Sequence, residues 1–71
     1  MGIYQIELDT MEKVNRFVKL ANECKTPVYI LSNDKYVGNG KSMLNVLASL
    51  EWGSLNVQTE DYLLFKEFFV E

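Results

Sequence analysis

The hydrophobic period of the chain changes abruptly at Asp9, and this change limits the folds that the chain can adopt. Before Asp9 the residues alternate, so that Tyr4, Ile6 and Leu8 share one side, as in a half-buried strand. After Asp9 the spacing becomes three and four residues, which predicts an amphipathic helix. The apolar residues of this helix are Met11, Val14, Phe17, Val18, Ala21 and Cys24. A strand followed directly by a helix indicates a mixed domain of α and β elements.

The start and the end of this first helix carry their own signals. Either Asp9, in a capping box with Glu12, or Thr10 caps its N-terminus. The Thr26-Pro27 pair stops it, because proline cannot continue a helix.

The remaining elements follow from turn residues and caps. Asn33 and Asp34 tolerate positive φ, so Ser32–Lys35 is predicted to be a hairpin turn, and Ser42 is a good helix N-cap. The predicted elements are strands at Val28–Leu31 and Tyr36–Val37, a break at Gly38-Asn39-Gly40, a short second helix carrying Met43, Leu44, Val46, Leu47 and Leu50, a strand at Leu55–Gln58, and a third helix capped by Thr59 with Glu60 and Asp61 in its first turn.

The predicted order is βαββαβα, which fits an open-faced sandwich of the α+β class. Four strands form one sheet with the three helices on one face, and Ile3, Gln5 and Glu7 lie on the other face. With 71 residues the chain is too short for two cores, so residues 1–71 are expected to form a single domain.

The composition of the chain excludes several kinds of catalytic and metal site. The chain has no histidine and one cysteine, Cys24, which excludes histidine general bases, Cys/His nucleophile pairs and Cys/His zinc sites within one chain. Its net charge of −3 and the lack of a basic stripe argue against binding to nucleic acid. We therefore expect no enzyme activity, no cofactor and no metal, and we expect Cys24 to pack in the core.

The chain is also expected to be soluble and cytoplasmic. Its longest apolar stretches are a few residues, whereas a membrane span needs about 20, and no signal-peptide pattern opens the chain. A single unpaired thiol fits a reducing compartment.

The segment Gly38-Asn39-Gly40-Lys41-Ser42 ends like a phosphate-binding P-loop. That motif requires glycine five positions before its Gly-Lys pair, and Lys35 occupies this position. We therefore predict a glycine turn capped by Ser42. A serine at a helix N-terminus can also accept a phosphate, so Ser42 is either a plain cap or a phosphorylation site.

Two apolar surfaces are larger than one helix face can bury. On the second helix, Met43, Leu44 and Leu47 should be partly exposed or covered by a partner. In the third helix the apolar residues are Tyr62, Leu63, Leu64, Phe65, Phe68, Phe69 and Val70. Either part of this surface is exposed or covered by a partner, or the segment is deeply buried under the small sheet.

Two segments carry a resemblance to a known family. The run Lys41-Ser42-Met43-Leu44-Asn45-Val46-Leu47 is similar to the start of the second helix of HPr, the histidine-containing phosphocarrier of the bacterial sugar phosphotransferase system. Phe17-Val18-Lys19-Leu20-Ala21 resembles the end of the first HPr helix, and the predicted element order is that of HPr.

The resemblance implies functional positions. Ser42 falls on the regulatory serine of HPr, and Thr10 falls where the family has its phosphate-carrying histidine. The flanking Gly-Leu-His-Ala-Arg-Pro signature is absent, and Glu12 or a nearby acid stands in place of the family's arginine. The resemblance thus implies a degenerate HPr that has lost phosphocarrier activity.

Three functions are compatible with this sequence. The first is a regulatory domain that binds a phosphotransferase-system enzyme, a kinase or a transcriptional regulator through Ser42, Lys41, Met43, Leu44 and Leu47. The second is a homodimer that uses the apolar third helix and a sheet edge. The third is a signalling phosphoacceptor at Ser42, with Thr10 as a poorer site.

Overall fold

A computed structural model describes residues 2–33 and 35–70, with only the backbone given at Trp52. Strands and helices alternate along the chain as β1 (Ile3–Ile6), α1 (Met11–Glu23), β2 (Tyr29–Ser32), β3 (Lys35–Asn39), α2 (Met43–Ser49) and β4 (Leu55–Gln58). A short 3₁₀ helix (Leu50–Trp52) extends α2, and a longer C-terminal 3₁₀ helix (Tyr62–Phe68) follows β4.

The four strands form one antiparallel sheet in the order β1-β4-β2-β3. The pairing places Tyr4, Val57, Ile30 and Gly38 side by side across all four strands. This row faces the helices, because α2 lies so close to Gly38 that a β-carbon there would be 3.0 Å from Cβ of Asn45. The predicted α+β architecture with a four-stranded sheet is therefore confirmed.

The core lies between this sheet face and the helices. The stripe predicted for α1 supplies Val14, Phe17, Val18 and Ala21 to it, while Ile6, Ile30 and Val57 come from the strands. Cys24 is also buried in this cluster, as expected. None of the helices in the described part of the chain is long and apolar enough to cross a bilayer.

Several local predictions are confirmed. Of the two caps predicted for α1, Asp9 and Thr10, the structure uses Thr10, whose side chain accepts a hydrogen bond from the Lys13 N–H at 3.1 Å. Asn33 adopts a φ of 52° in the hairpin turn, whereas Asp34 lies outside the described residues. Ile3, Gln5 and Glu7 are exposed on the face away from the helices.

The third helix differs from the prediction, because it is a 3₁₀ helix rather than an α-helix. Tyr62, Phe65 and Phe68 recur every three residues, so a helix with three residues per turn places them on one side. Thr59 does not cap it. Its side chain is fully buried and accepts the N–H of Asp61 at 3.2 Å, one turn before the helix begins.

The predicted break at Gly38-Asn39-Gly40 is also wrong for its first two residues. Gly38 and Asn39 are part of β3 and pair with Ile30 and Tyr29. The close approach of α2, not a turn, favours glycine at position 38, because a β-carbon there would crowd the Asn45 side chain.

Candidate docking site at the start of α2

Ser42 is the N-cap of α2, as the sequence predicts. Its Oγ accepts hydrogen bonds from the backbone N–H of Asn45 at 3.3 Å and from the Asn45 side-chain Nδ2 at 3.2 Å. The serine remains partly exposed. The cap therefore holds the first turn of α2 and leaves one side of Ser42 open to solvent.

The side chains of Asn39 and Asn45 form hydrogen bonds that fix the connection between β3 and α2. Asn45 Oδ1 accepts the backbone N–H of Asn39 at 3.0 Å, and Asn39 Oδ1 accepts the N–H of Lys41 at 2.9 Å. The Ser42 N–H completes the arrangement by donating to the Asn39 carbonyl at 3.1 Å. We call Asn39, Lys41, Ser42 and Asn45 the asparagine junction.

The glycine of the Gly40-Lys41-Ser42 triplet has a structural role that involves no phosphate. Its N–H donates to the Val28 carbonyl at 2.8 Å. A β-carbon at Gly40 would lie 2.6 Å from Cγ1 of Val28, which no side chain tolerates. The glycine is thus needed for the chain to pass over Val28, and the expected structural turn is present.

Lys41 forms two hydrogen bonds with residues at the C-terminal end of α1. Its Nζ donates to the Cys24 carbonyl at 2.9 Å, and its own carbonyl accepts Nδ2 of Asn22 at 3.0 Å. Cys24 is the C-cap of α1, where the negative end of the helix dipole favours a cation. The lysine predicted for docking therefore joins α1 to the asparagine junction.

The side chains of α2 that the sequence assigned to docking divide into two groups. Leu44 is 79% exposed. Met43 and Leu47 are half-buried and pack against the core. Ala48 is also exposed, and because it follows Leu44 by four residues it lies beside Leu44 on the helix. We call Ser42, Met43, Leu44, Leu47 and Ala48 the α2 surface.

No residue from Ser42 to Leu50 is charged. Surface helices normally carry charged side chains on their solvent side, as α1 does with Glu12, Lys13 and Arg16. The α2 surface thus combines a fixed backbone, a serine hydroxyl and an uncharged apolar patch. This arrangement suits a contact with another protein.

The structure does not bring Thr10 to Ser42. Thr10 caps the N-terminus of α1, whereas Asn22 near the C-terminus of α1 contacts Lys41. Thr10 and Asn22 are twelve positions apart, which corresponds to about 18 Å along a helix axis. Thr10 and Ser42, the two positions to which the sequence resemblance draws attention, therefore lie towards opposite ends of α1.

Cys24 is poorly suited to thiolate chemistry. Its thiol donates to the Leu20 carbonyl at 3.4 Å. Burial, reinforced by the negative charge of Asp61, raises the pKa of the Cys24 thiol. A raised pKa disfavours the reactive thiolate, which supports the expected packing role.

Asn45 is the residue of this site that sequence reasoning missed. Its spacing of three from Ser42 is that of a capping box, in which a Glu or Gln normally returns a bond to the cap. Here the shorter Asn45 side chain instead donates to Ser42 Oγ and accepts the backbone N–H of Asn39 in β3.

Comparisons with protein-family models, with curated proteins and with solved structures gave no match to this chain.

Proposed function

We propose that this protein is a non-catalytic, regulatory protein-binding domain that resembles HPr, has lost histidine phosphocarrier activity, and docks a partner through the α2 surface. One observation carries the proposal: Leu44 is 79% exposed on a helix with no charged residue. Burying one leucine side chain at an interface contributes about 2 kcal/mol. An exposed leucine on a rigid, uncharged helix therefore offers apolar surface that a partner can bury.

The resemblance to HPr adds the class of partner. The element order strand, helix, two strands, helix, strand agrees with the order that the resemblance implies, and Ser42 caps α2. Thr10, at the position of the phosphate-carrying histidine, has no imidazole. The proposed partners are a phosphotransferase-system enzyme, an HPr-type kinase or a transcriptional regulator, in a cytoplasm where the free thiol of Cys24 persists.

The test compares two exposed leucines. A partner is first captured from the native host, then purified, and its binding to the domain is measured by calorimetry. Leu44→Gln should weaken this binding at least tenfold. Leu63, which is 63% exposed on the C-terminal 3₁₀ helix, provides the matched control, and Leu63→Gln should bind like the wild type.

A second candidate function is favoured by the C-terminal 3₁₀ helix. Leu63 and Leu64 are 63% and 48% exposed there, and Val70 just beyond is 42% exposed. These side chains would form the homodimer contact of an assembly module. If Leu63→Gln abolishes association while Leu44→Gln has no effect, the assembly function replaces the docking function.

A further inference from the structure

The chain contains an Asn-Gly pair where β3 ends, at Asn39 and Gly40. Of the six asparagines in the sequence, only Asn39 precedes a glycine. The other five precede arginine, glutamate, aspartate or valine, whose side chains shield the backbone nitrogen that follows the asparagine. Glycine has no side chain, so its nitrogen can approach the carboxamide carbon of the residue before it. Asn39 is also exposed, so water reaches its amide.

From this pair and its contacts we infer that Asn39 is a site of spontaneous deamidation, and that the asparagine junction controls the rate of the reaction. The Gly40 nitrogen gives its proton to hydroxide and bonds to Cγ of Asn39. The bond from Cγ to Nδ2 breaks, and the amide nitrogen takes a proton from water and leaves as ammonia. Water then opens the resulting five-membered succinimide ring at either carbonyl, which yields aspartate or isoaspartate at position 39.

In the native fold the Gly40 nitrogen is held away from this reaction. Its N–H donates to the Val28 carbonyl at 2.8 Å, and Gly40 is buried, which shields the proton from hydroxide. The Asn39 side chain is also held, because its Oδ1 accepts the Lys41 N–H at 2.9 Å. In an extended strand the side chain and the next nitrogen are rotated apart about the Cα–C bond, whereas a planar ring requires them to eclipse. The reaction therefore needs a local opening between β3 and α2.

Asn45 controls how often this opening occurs. Its Oδ1 accepts the Asn39 N–H at 3.0 Å, which holds Asn39 against α2. The Ser42 N–H donates to the Asn39 carbonyl at 3.1 Å, and rotation about the Asn39 Cα–C bond breaks this second contact. Loss of the Asn45 side chain should therefore increase the population of the open form and, with it, the rate of deamidation.

The two products should differ in their effect on the fold. Aspartate keeps the length of the main chain, and its carboxylate can accept the Lys41 N–H as Asn39 Oδ1 does. Isoaspartate routes the main chain through its side chain, which lengthens the chain by one carbon before Gly40. There is little room for a displaced chain, since a β-carbon at Gly40 would lie 2.6 Å from Cγ1 of Val28. The isoaspartate form should therefore release the start of α2 from β3.

The rate is measured on the full chain at mildly alkaline pH, by intact mass and by peptide mapping of the modified residue. Asn39 should react at least about tenfold more slowly in the native chain than in the chain unfolded by guanidinium chloride. Asn45→Ala should speed the native reaction about tenfold. Thr10→Ala removes the α1 cap far from the junction and controls for a general loss of stability, so it should leave the native rate nearly unchanged. In guanidinium chloride all three proteins should react alike.

A second measurement compares the products. Anion exchange separates the deamidated chains, and an isoaspartate methyltransferase identifies the isoaspartate fraction by transferring a methyl group to it from S-adenosylmethionine. This fraction should melt at a lower temperature than the wild type, whereas Asn39→Asp should melt close to it.

Three results would overturn the inference. The first is equal rates of Asn39 deamidation in the native and unfolded chains, and the second is an equal acceleration by Asn45→Ala and Thr10→Ala. The third is an isoaspartate fraction as stable as the wild type. No binding partner enters these measurements, so their outcome is independent of the proposed docking function.

Discussion

Asn45 Oδ1 accepts a hydrogen bond from the backbone N–H of Asn39 at 3.0 Å, and this contact joins the first turn of α2 to the end of β3. The same Asn45 side chain donates through Nδ2 to Ser42 Oγ at 3.2 Å. One amide thus satisfies a strand N–H and braces the helix cap. The orientation of the α2 surface depends on it.

Replacement of Asn45 by alanine should therefore destabilise the protein. The change leaves the Asn39 N–H without its acceptor and removes a donor to Ser42, for a loss of about 1–2 kcal/mol in the free energy of unfolding. Asn45→Asp keeps the acceptor and should cost less. Urea denaturation measures both, with Asn15→Ala on the exposed side of α1 as the control. Equal stabilities of Asn45→Ala and Asn15→Ala would contradict the bracing role.

Gly40→Ala should lower stability by about 1–3 kcal/mol, because the new methyl group would lie 2.6 Å from Cγ1 of Val28. The partner substitution Val28→Ala removes the atom that clashes. In the double variant the two losses should therefore be clearly less than additive, as thermal denaturation of the four proteins will show. Additive losses would mean that the glycine serves another purpose.

The sequence predicted the elements whose signals are local. The alternation around Ile6 and the cap at Thr10 both depend on neighbours within a few residues, and both are present. The C-terminal helix type was not predictable, since Tyr62 and Phe65 fit a period of three with Phe68 and a period near 3.6 with Phe69. Tertiary contacts favour the period of three, because the Phe17 ring packs against those of Phe65 and Phe68, with centroid distances of 5.0 and 5.5 Å.

For the candidate site, the sequence predicts a set of residues but not how they are arranged. Ser42 and Leu44 follow from cap and amphipathic patterns, and the structure places them as a cap and an exposed side chain. The bond from Lys41 to the Cys24 carbonyl joins residues 17 positions apart. No local pattern specifies such a contact, because it depends on how α1 and α2 pack against the sheet.

The ion pair between Asp9 and Lys13 at the N-terminus of α1 predicts that the stability of the fold depends on pH. The hydrogen bond and charge of Lys13, 2.9 Å from Asp9, hold the pKa of the Asp9 carboxyl below its usual value. The ion pair therefore stabilises the fold above the unfolded-state pKa of Asp9, and this contribution is lost as pH falls through the lowered folded-state pKa. NMR titration should give a low midpoint for Asp9. Lys13→Met should return it towards the ordinary value, and an unchanged midpoint in that variant would rule out the ion pair as the cause.

Incubation with phosphoenolpyruvate and the first enzyme of the phosphotransferase relay should leave this chain unlabelled. The chain has no histidine, and Thr10, at the aligned position, already accepts the Lys13 N–H as a helix cap. A genuine HPr in a parallel reaction shows that the relay is active. Stoichiometric, acid-labile label on this protein would refute the proposed loss of phosphocarrier activity.

Ser42→Asp should have opposite effects on the stability of the protein and on partner binding through the α2 surface. Aspartate is as good an N-cap as serine, and its carboxylate would accept the bonds that Asn45 now donates to Ser42. The melting temperature should therefore stay the same or rise. At the same time a negative charge enters an uncharged apolar patch beside Leu44, so binding to a partner that covers this patch should weaken.

Ser42→Asn is the matched control, because it caps equally well and stays neutral. Calorimetry of the partner complex should show weaker binding for the aspartate variant alone. If Ser42→Asp melts lower and still binds its partner normally, Ser42 is only a structural cap. The docking site would then lie elsewhere, and the exposed leucines of the C-terminal 3₁₀ helix would be the next surface to test.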